Sequence, residues 1–310
     1  MSLRLKIMML AMKVFAKPRL KKIKTPQEAR QTFERTARLM FRIPPLSLFQ
    51  ASDFSSGDTT IPALWSSSGK CGIDHVILYL HGGGYIAGSP QTHRVITARL
   101  SRLTGMRVFA PDYRLAPEAP FPTALQDAEA AHAALIAKGY RAENIVIGGD
   151  SAGGGLALAL TARLCAAGQA LAAVFAYSPW TDLTLSGDSL QKNRNSDVIL
   201  LTSRVEEMRD YYAANADPQD PGMSPLFAEF PNAPPILIQY SETEILADDS
   251  ERMADHLRNQ GVQVRLESWD DAPHVWHVFD GLIPEAREAL QNTADFIRRA
   301  LASRASTGES

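Results

Sequence analysis

The stretch "NIVIGGDSAGGGLALAL", residues 144–160, decides the fold. Its first half is a short apolar run, Ile145 to Ile147, of the kind carried by a strand buried on both faces. Its second half is rich in Ala and Leu and runs on to Gly168, which reads as a helix with a glycine stop. Between the two, Gly149-Asp150-Ser151-Ala152-Gly153 fits G-x-S-x-G. A strand that turns directly into a helix leaves no room for side chains two residues either side of the serine. Such a turn pushes the Ser151 hydroxyl outward. The first backbone N–H groups of the helix, and its positive end, then face whatever the serine attacks. A phosphate-binding loop is the competing reading. It would want a lysine after the second glycine, and none is present. Ser151 therefore reads as a nucleophile at a strand-to-helix turn.

The same rhythm extends in both directions. "HVILYL" (75–80), "RVFAPDY" (107–113), "LAAVFAYSPW" (171–180), "PILIQYSE" (235–242) and "VQVRLESW" (262–269) read as strands. Helices are expected over 123–139, 248–261 and 284–302, with a frayed tail over 303–310. A further helix follows the capping box Thr25-Pro26-Gln27-Glu28 and is stopped by the prolines of "RIPPL" (42–46). Alternating strands and helices imply an α/β fold with a mostly parallel sheet covered on both faces. Residues 181–225 interrupt the rhythm. They are polar, with "EEMRDYYAA" (206–214) as one clear helix, and are expected to form an excursion that helps to cover a site.

Composition narrows the function classes. The 310 residues carry a net charge of −2, which argues against a nucleic-acid binder. The charge is uneven: residues 1–24 hold eight Lys/Arg and no Asp/Glu, so the remainder sums to −2 − 8 = −10. No run of 18 apolar residues is present, so no integral membrane span is expected. Cys71 and Cys165 form neither a metal-ligand spacing nor a disulfide framework, as expected of free thiols in a reducing compartment. "MSLRLKIMMLAMKVFAKP" (1–18) loosely imitates a secretory leader, but Lys13 interrupts its apolar stretch. A cytoplasmic location is the expectation.

A second glycine-rich element completes the pattern. "VILYLHGGGYIAGS" (76–89) places His81-Gly82-Gly83-Gly84 directly after a buried strand. A tetrahedral acyl intermediate carries negative charge on oxygen. Backbone N–H groups stabilise it only where the chain comes close, which glycine permits. An HGGG-type loop, together with the N–H of the residue after the nucleophile, here Ala152, is the arrangement of lipases and esterases.

With these residues in view, the chain resembles the hormone-sensitive-lipase-like branch of the α/β-hydrolases, which carries G-D-S-A-G around the serine. The resemblance runs from about residue 60 to 300. It rests on "HGGGYIAGS", "PDYRLAPEAPFPTALQDA", "GGDSAGGGLA", "SPWTDLT", "DPGMSPLFA" and "APH". It implies an eight-stranded α/β-hydrolase sheet over residues 46–305 and a helical cap built mainly from residues 1–45. It further implies hydrolysis of short- to medium-chain acyl esters with no cofactor and no metal. Gly83, Gly84 and Ala152 would hold the oxyanion, with Gly82 shaping the loop.

The chain order Ser, acid, His then locates the partners. His274 directly follows Ala272-Pro273, where the family places its base; His277, three residues on, competes. After the strand ending at Tyr240, the family's D-P-L-x-D is matched in register by Glu244-Ile245-Leu246-Ala247-Asp248. Glu244 takes the place of the acid, and Asp248 is the alternative. Asp150 is expected to orient neighbouring loops, and an ion pair within "DYRLAPE" (112–118) to be structural. The basic N-terminus admits three readings: a cap whose Met8, Met9 and Met12 face the acyl pocket, a contact with an anionic membrane surface, or a solvated face. A deacetylase or amidohydrolase using the same residues, and a non-catalytic small-molecule receptor, are the competing functions. A homodimer through a C-terminal edge strand is also expected as an option.

Overall fold

The computed structural model describes residues 1–307. Its N-terminal segment forms helix α1 (Leu3–Ala11), a widened turn over Met12–Ala16, and the short α2 (Lys17–Leu20) and longer α3 (Pro26–Met40). Strands β1 (Ser47–Ser56), β2 (Thr59–Ser68) and β3 (Val76–Leu80) follow, then α4 (Arg94–Thr104), β4 (Arg107–Pro111) and α5 (Thr123–Ala137). Next come β5 (Ile145–Asp150), α6 (Ala152–Ala166), β6 (Ala173–Tyr177), α7 (Ser189–Lys192) and α8 (Thr202–Ala213). The chain ends with β7 (Ile236–Ser241), α9 (Ala247–Asn259), β8 (Val264–Trp269) and α10 (Pro284–Thr307). The eight strands form one sheet in the order β1-β2-β4-β3-β5-β6-β7-β8. The β1–β2 and β2–β4 pairs are antiparallel and all others parallel.

The period-2 alternation of each central strand divides the core into two layers. Val76, Leu78 and Leu80 of β3 enter one layer, with Ile145 and Ile147 of β5 and Ile236 and Ile238 of β7. Ile77, Tyr79, Val146 and Leu237 enter the other. Each such side chain contributes roughly 1.5–3 kcal/mol through burial. Helices α5, α6 and α9 cover the first layer, and α4 and α10 the second. Among the described residues, no helix is long and apolar enough to cross a membrane.

Several sequence expectations are adjusted. The hairpin β1–β2 was not visible as strands; it is closed by Gly57-Asp58, with Gly57 at φ +57° in the first turn position. Helix α4 was not foreseen either. In the capping box, Thr25 Oγ1 accepts from Glu28 N, but the Glu28 carboxylate turns back to Lys24 N, one residue earlier than expected. The tail expected to fray from 303 instead continues α10 to Thr307, and residues 308–310 lie outside the described residues. The ion pair expected within residues 112–118 is replaced by two pairs that leave it. Arg114 grips Asp127 of α5, and Glu118 binds Arg30 of α3.

Candidate active site

Ser151 sits between β5 and α6 at φ +53°, ψ −124°, a backbone region that side chains avoid. The turn is held from the neighbouring strand: Ser151 N–H donates to Tyr177 O (2.8 Å), and Ser151 O accepts from Trp180 N and Gly155 N (both 3.0 Å). The glycines have a steric cause. A Cβ on Gly149 would overlap the Gly153 carbonyl, and one on Gly153 would overlap the carbonyls of Leu80 and His81. No side chain fits at either place, so the sharp turn exists only with glycine there.

Three of the expected residues meet in one hydrogen-bonded chain. His274 Nε2 lies 2.9 Å from Ser151 Oγ, and His274 Nδ1 lies 2.6 Å from Glu244 Oε2. Glu244 is fully buried, and its other oxygen accepts from Ser241 N–H (3.1 Å). The loop after β8 that carries His274 is pinned by Ala272 N–H on Ser241 Oγ and Val275 N–H on Ser178 Oγ. Burial pushes the imidazole toward its neutral form. The charge and hydrogen bond of Glu244, helped by Asp197 and Asp150, outweigh this, so the pKa of His274 lies above its ordinary value.

The alternatives fall elsewhere. Asp248 accepts from Ser189 N–H (2.9 Å) and so braces the 181–225 excursion against α9. His277 is fully buried, stacked on Tyr177 at 3.8 Å, with Nε2 bonded to Gln239 Oε1 (2.9 Å). Burial lowers its pKa to about 3, so it stays neutral.

The loop 81–84 is held over the serine by Asp150. This carboxylate accepts from Tyr79 Oη (2.6 Å), Gly82 N–H (3.1 Å) and His93 Nε2 (3.3 Å). Burial disfavours both charges of the His93–Asp150 pair. Each partner nevertheless stabilises the other, raising the pKa of His93 and lowering that of Asp150. His81 stacks on Tyr113 at 4.2 Å, and Tyr113 Oη donates to His81 O (2.6 Å). Gly83 and Gly84 take φ +128° and +64°. Among the described residues no group accepts from the N–H of either. Ala152 opens α6, so its N–H has no partner within the helix. Three unclaimed donors thus come from the two glycine-bearing turns that flank the serine.

Sequence reasoning missed three contributors. Met208 of α8 presses its sulfur against Gly84, which makes the excursion a cover for this loop. Asp197 is buried and accepts from Ile245 N–H (3.0 Å), immediately beside Glu244. His93 Nε2 bonds Asp150. Only Asp197 left a signal, an acid two and three residues before amides that it caps, Ile199 and Leu200.

A serine hydroxyl backed by an imidazole and a buried carboxylate, and faced by free amides, is the equipment of hydrolases that act through an acyl-enzyme. Comparison with known proteins agrees. A family model described as alpha/beta hydrolase fold matches residues 77–278. An acetyl-hydrolase of Streptomyces hygroscopicus is 39% identical, over 72% of this chain and 75% of that protein. An ethyl acetate hydrolase of Pseudomonas putida is 36% identical, over 73% of each. A crystal structure of an esterase from the bacterial hormone-sensitive lipase family superposes with TM-score 0.90 at 35% identity, covering 97% of this chain and 99% of that one. The chain belongs to the α/β-hydrolases, in the hormone-sensitive-lipase-like branch of carboxylic ester hydrolases.

Proposed function

We propose that this serine carboxylesterase hydrolyses short- to medium-chain acyl esters through an acyl-enzyme on Ser151. The observation that carries the reading is the chain Ser151 Oγ–His274–Glu244, at 2.9 and 2.6 Å. His274 Nε2 takes the serine proton as Oγ attacks the ester carbonyl. The oxyanion forms against the N–H groups of Gly83, Gly84 and Ala152, with Gly82 shaping the loop from its anchor on Asp150. His274 then protonates the leaving alcohol. Water, deprotonated by the same nitrogen, releases the acid. Glu244 holds the tautomer and offsets the imidazolium charge. No step calls for a cofactor or metal. Residues 1–45 and 181–225 act as the cap, the first fixed by Arg30 on Ile86 O, Ala116 O and Glu118. The names of the two relatives, an acetyl-hydrolase and an ethyl acetate hydrolase, favour the short end of the acyl range.

We further propose a cytoplasmic enzyme, on the strength of two unpaired thiols, Cys71 and Cys165. The exposed edge β8 offers a route to a homodimer. The first test is a p-nitrophenyl ester series from acetate to palmitate, with Ser151→Ala alongside. Rates that peak at short acyl chains and vanish in the variant are expected. No serine-dependent rate on any ester would sink the reading.

A further inference from the structure

The N-terminal segment carries more apolar surface than the core uses. Its inward face is spoken for: Leu5 and Met12 are 1% and 7% exposed and pack in the second layer with Trp276 and Phe279, and Met8 and Met9 pack against it. A second stripe, Leu3, Ile7, Leu10 and Val14, points the other way at 73%, 61%, 65% and 53% exposure, with Phe15 beside it at 63%. Packing of this chain gives no reason for that stripe.

Two further observations bear on what covers it. First, Arg4, Lys6, Lys13, Lys21 and Lys22 rim the segment, and among the described residues none of them forms an ion pair. No acid occurs in residues 1–24, while the rest of the chain carries −10. Second, the apolar surface continues onto another element. Leu39 and Met40 at the end of α3, and Ile43 and Leu46 in the segment after it, are exposed as well. Both segments meet the same corner: Ser2 bonds Glu285, while Phe41 packs on Phe279 and Arg42 against Gly281.

We propose that this face docks the enzyme on an anionic phospholipid surface. The apolar stripe enters the boundary of headgroups and acyl chains while the cations meet the lipid charge. A second copy of the chain fits less well. A two-fold contact would set this patch against itself and oppose two copies of a segment that carries eight cations and no acid of its own. The segment is also tied to a loop that supports the active site: Lys17 Nζ donates to the backbone carbonyls of Arg194 and Asp197, and Asp197 braces the residue after Glu244. Docking therefore holds the reaction centre close to a source of lipid-dissolved esters.

The test is flotation of the full chain with vesicles of phosphatidylglycerol and phosphatidylcholine in about equal parts, against vesicles of phosphatidylcholine alone. Binding to the mixed vesicles is expected, weakening as salt rises from about 0.1 to 0.5 M. The combined Leu3→Ser, Ile7→Ser, Leu10→Ser and Phe15→Ser variant should lose about tenfold or more in binding. A Lys6→Glu, Lys13→Glu variant should lose binding to the mixed vesicles in the same way. Melting temperature and elution volume verify that each variant is folded. Absence of binding, equal binding to neutral vesicles, or undiminished binding by both variants overturns the proposal. So does a dimer in free solution that the combined Leu3→Ser, Ile7→Ser, Leu10→Ser and Phe15→Ser variant abolishes, since the face then belongs to a second copy.

Discussion

Replacing Glu244 by glutamine is the perturbation with the most structure behind it. The Glu244 carboxylate has two partners, Ser241 N–H on Oε1 and His274 Nδ1 on Oε2. An amide has only one oxygen. If that oxygen keeps Ser241, the NH2 group faces Nδ1 and drives the imidazole proton to Nε2, where it donates to Ser151 instead of accepting. If the oxygen turns to Nδ1–H, the NH2 group opposes a buried N–H, at about 1–3 kcal/mol for the donor left unpaired. The first arrangement avoids that cost, so the wrong tautomer should dominate. The same exchange in a serine protease lowers kcat by about 10⁴. With buried partners of this kind, Glu244→Gln should lower kcat by about 10³–10⁴, or about 4–5.4 kcal/mol at 1.36 kcal/mol per decade. The assay is kcat on p-nitrophenyl acetate at saturating ester, with melting temperature as a control. Asp248→Asn, whose oxygen can still accept from Ser189, should stay within a few-fold of the parent. A near-normal rate for Glu244→Gln beside an inactive Asp248→Asn would refute the reasoning and hand the acid's role to Asp248.

Three other outcomes are expected. Because the pKa of His274 is raised, the acid limb of kcat/KM should have its midpoint above 6.5, activity growing as the base loses its proton. The stability that its protonated form contributes is complete below pH 6.5 and fades as pH rises through the folded pKa, so activity and that part of stability move in opposite directions; an acid limb below pH 6 would contradict this. Gly153→Ala should destabilise by about 1–3 kcal/mol or more, or fail to accumulate, because its methyl meets two fixed carbonyls; an unchanged melting temperature would be incompatible with that crowding. Asp150→Ala should destabilise by about 3–5 kcal/mol, since it strands a buried His93 and frees Gly82 and Tyr79 together, and kcat should fall as the 81–84 loop loosens; thermal melts and ester kinetics would expose a neutral change.

What could be read in advance was local. The join of β5, Ser151 and α6 is legible because strand, glycine spacing and helix lie within seventeen consecutive letters. The five central strands are legible because both faces are buried, leaving unbroken apolar runs such as Val76–Leu80. β2 escaped because its buried side chains include Ser66 and Ser68 and Pro62 interrupts it, so no unbroken apolar run marks it. β1 escaped for the reason opposite to that of the central strands. "SLFQASDFSS" leaves most of its side chains in solvent at the sheet edge and needs no apolar run. The residues around the serine that came from afar escaped too. Nothing near Met208 says that α8 folds back onto Gly84, and nothing near His93 says that it will meet Asp150. Glu244 was reached through the register of a family motif, since four acids lie within residues 242–249 and local chemistry alone does not rank them.

The structure supplies the physical ranking. Three carboxylates influence His274, and each has its negative charge compensated differently. Asp150 accepts from His93 Nε2 and from two further donors, and its pair with His93 raises the imidazole pKa and lowers its own. Among the described residues no cationic side chain bonds the Asp197 carboxylate, which relies on the N–H groups of Ile199, Leu200 and Ile245; burial pushes its pKa up. Glu244 has one backbone donor and one imidazole. A buried carboxylate bonded directly to the imidazole gains most when that ring becomes charged. In the proposed mechanism that event is the proton transfer from Ser151. Of the three, Glu244 is therefore the acid whose interaction strengthens most as the tetrahedral intermediate of the proposed reaction forms, because it alone bonds the ring, and this difference between resting and reacting states is what a rate enhancement requires.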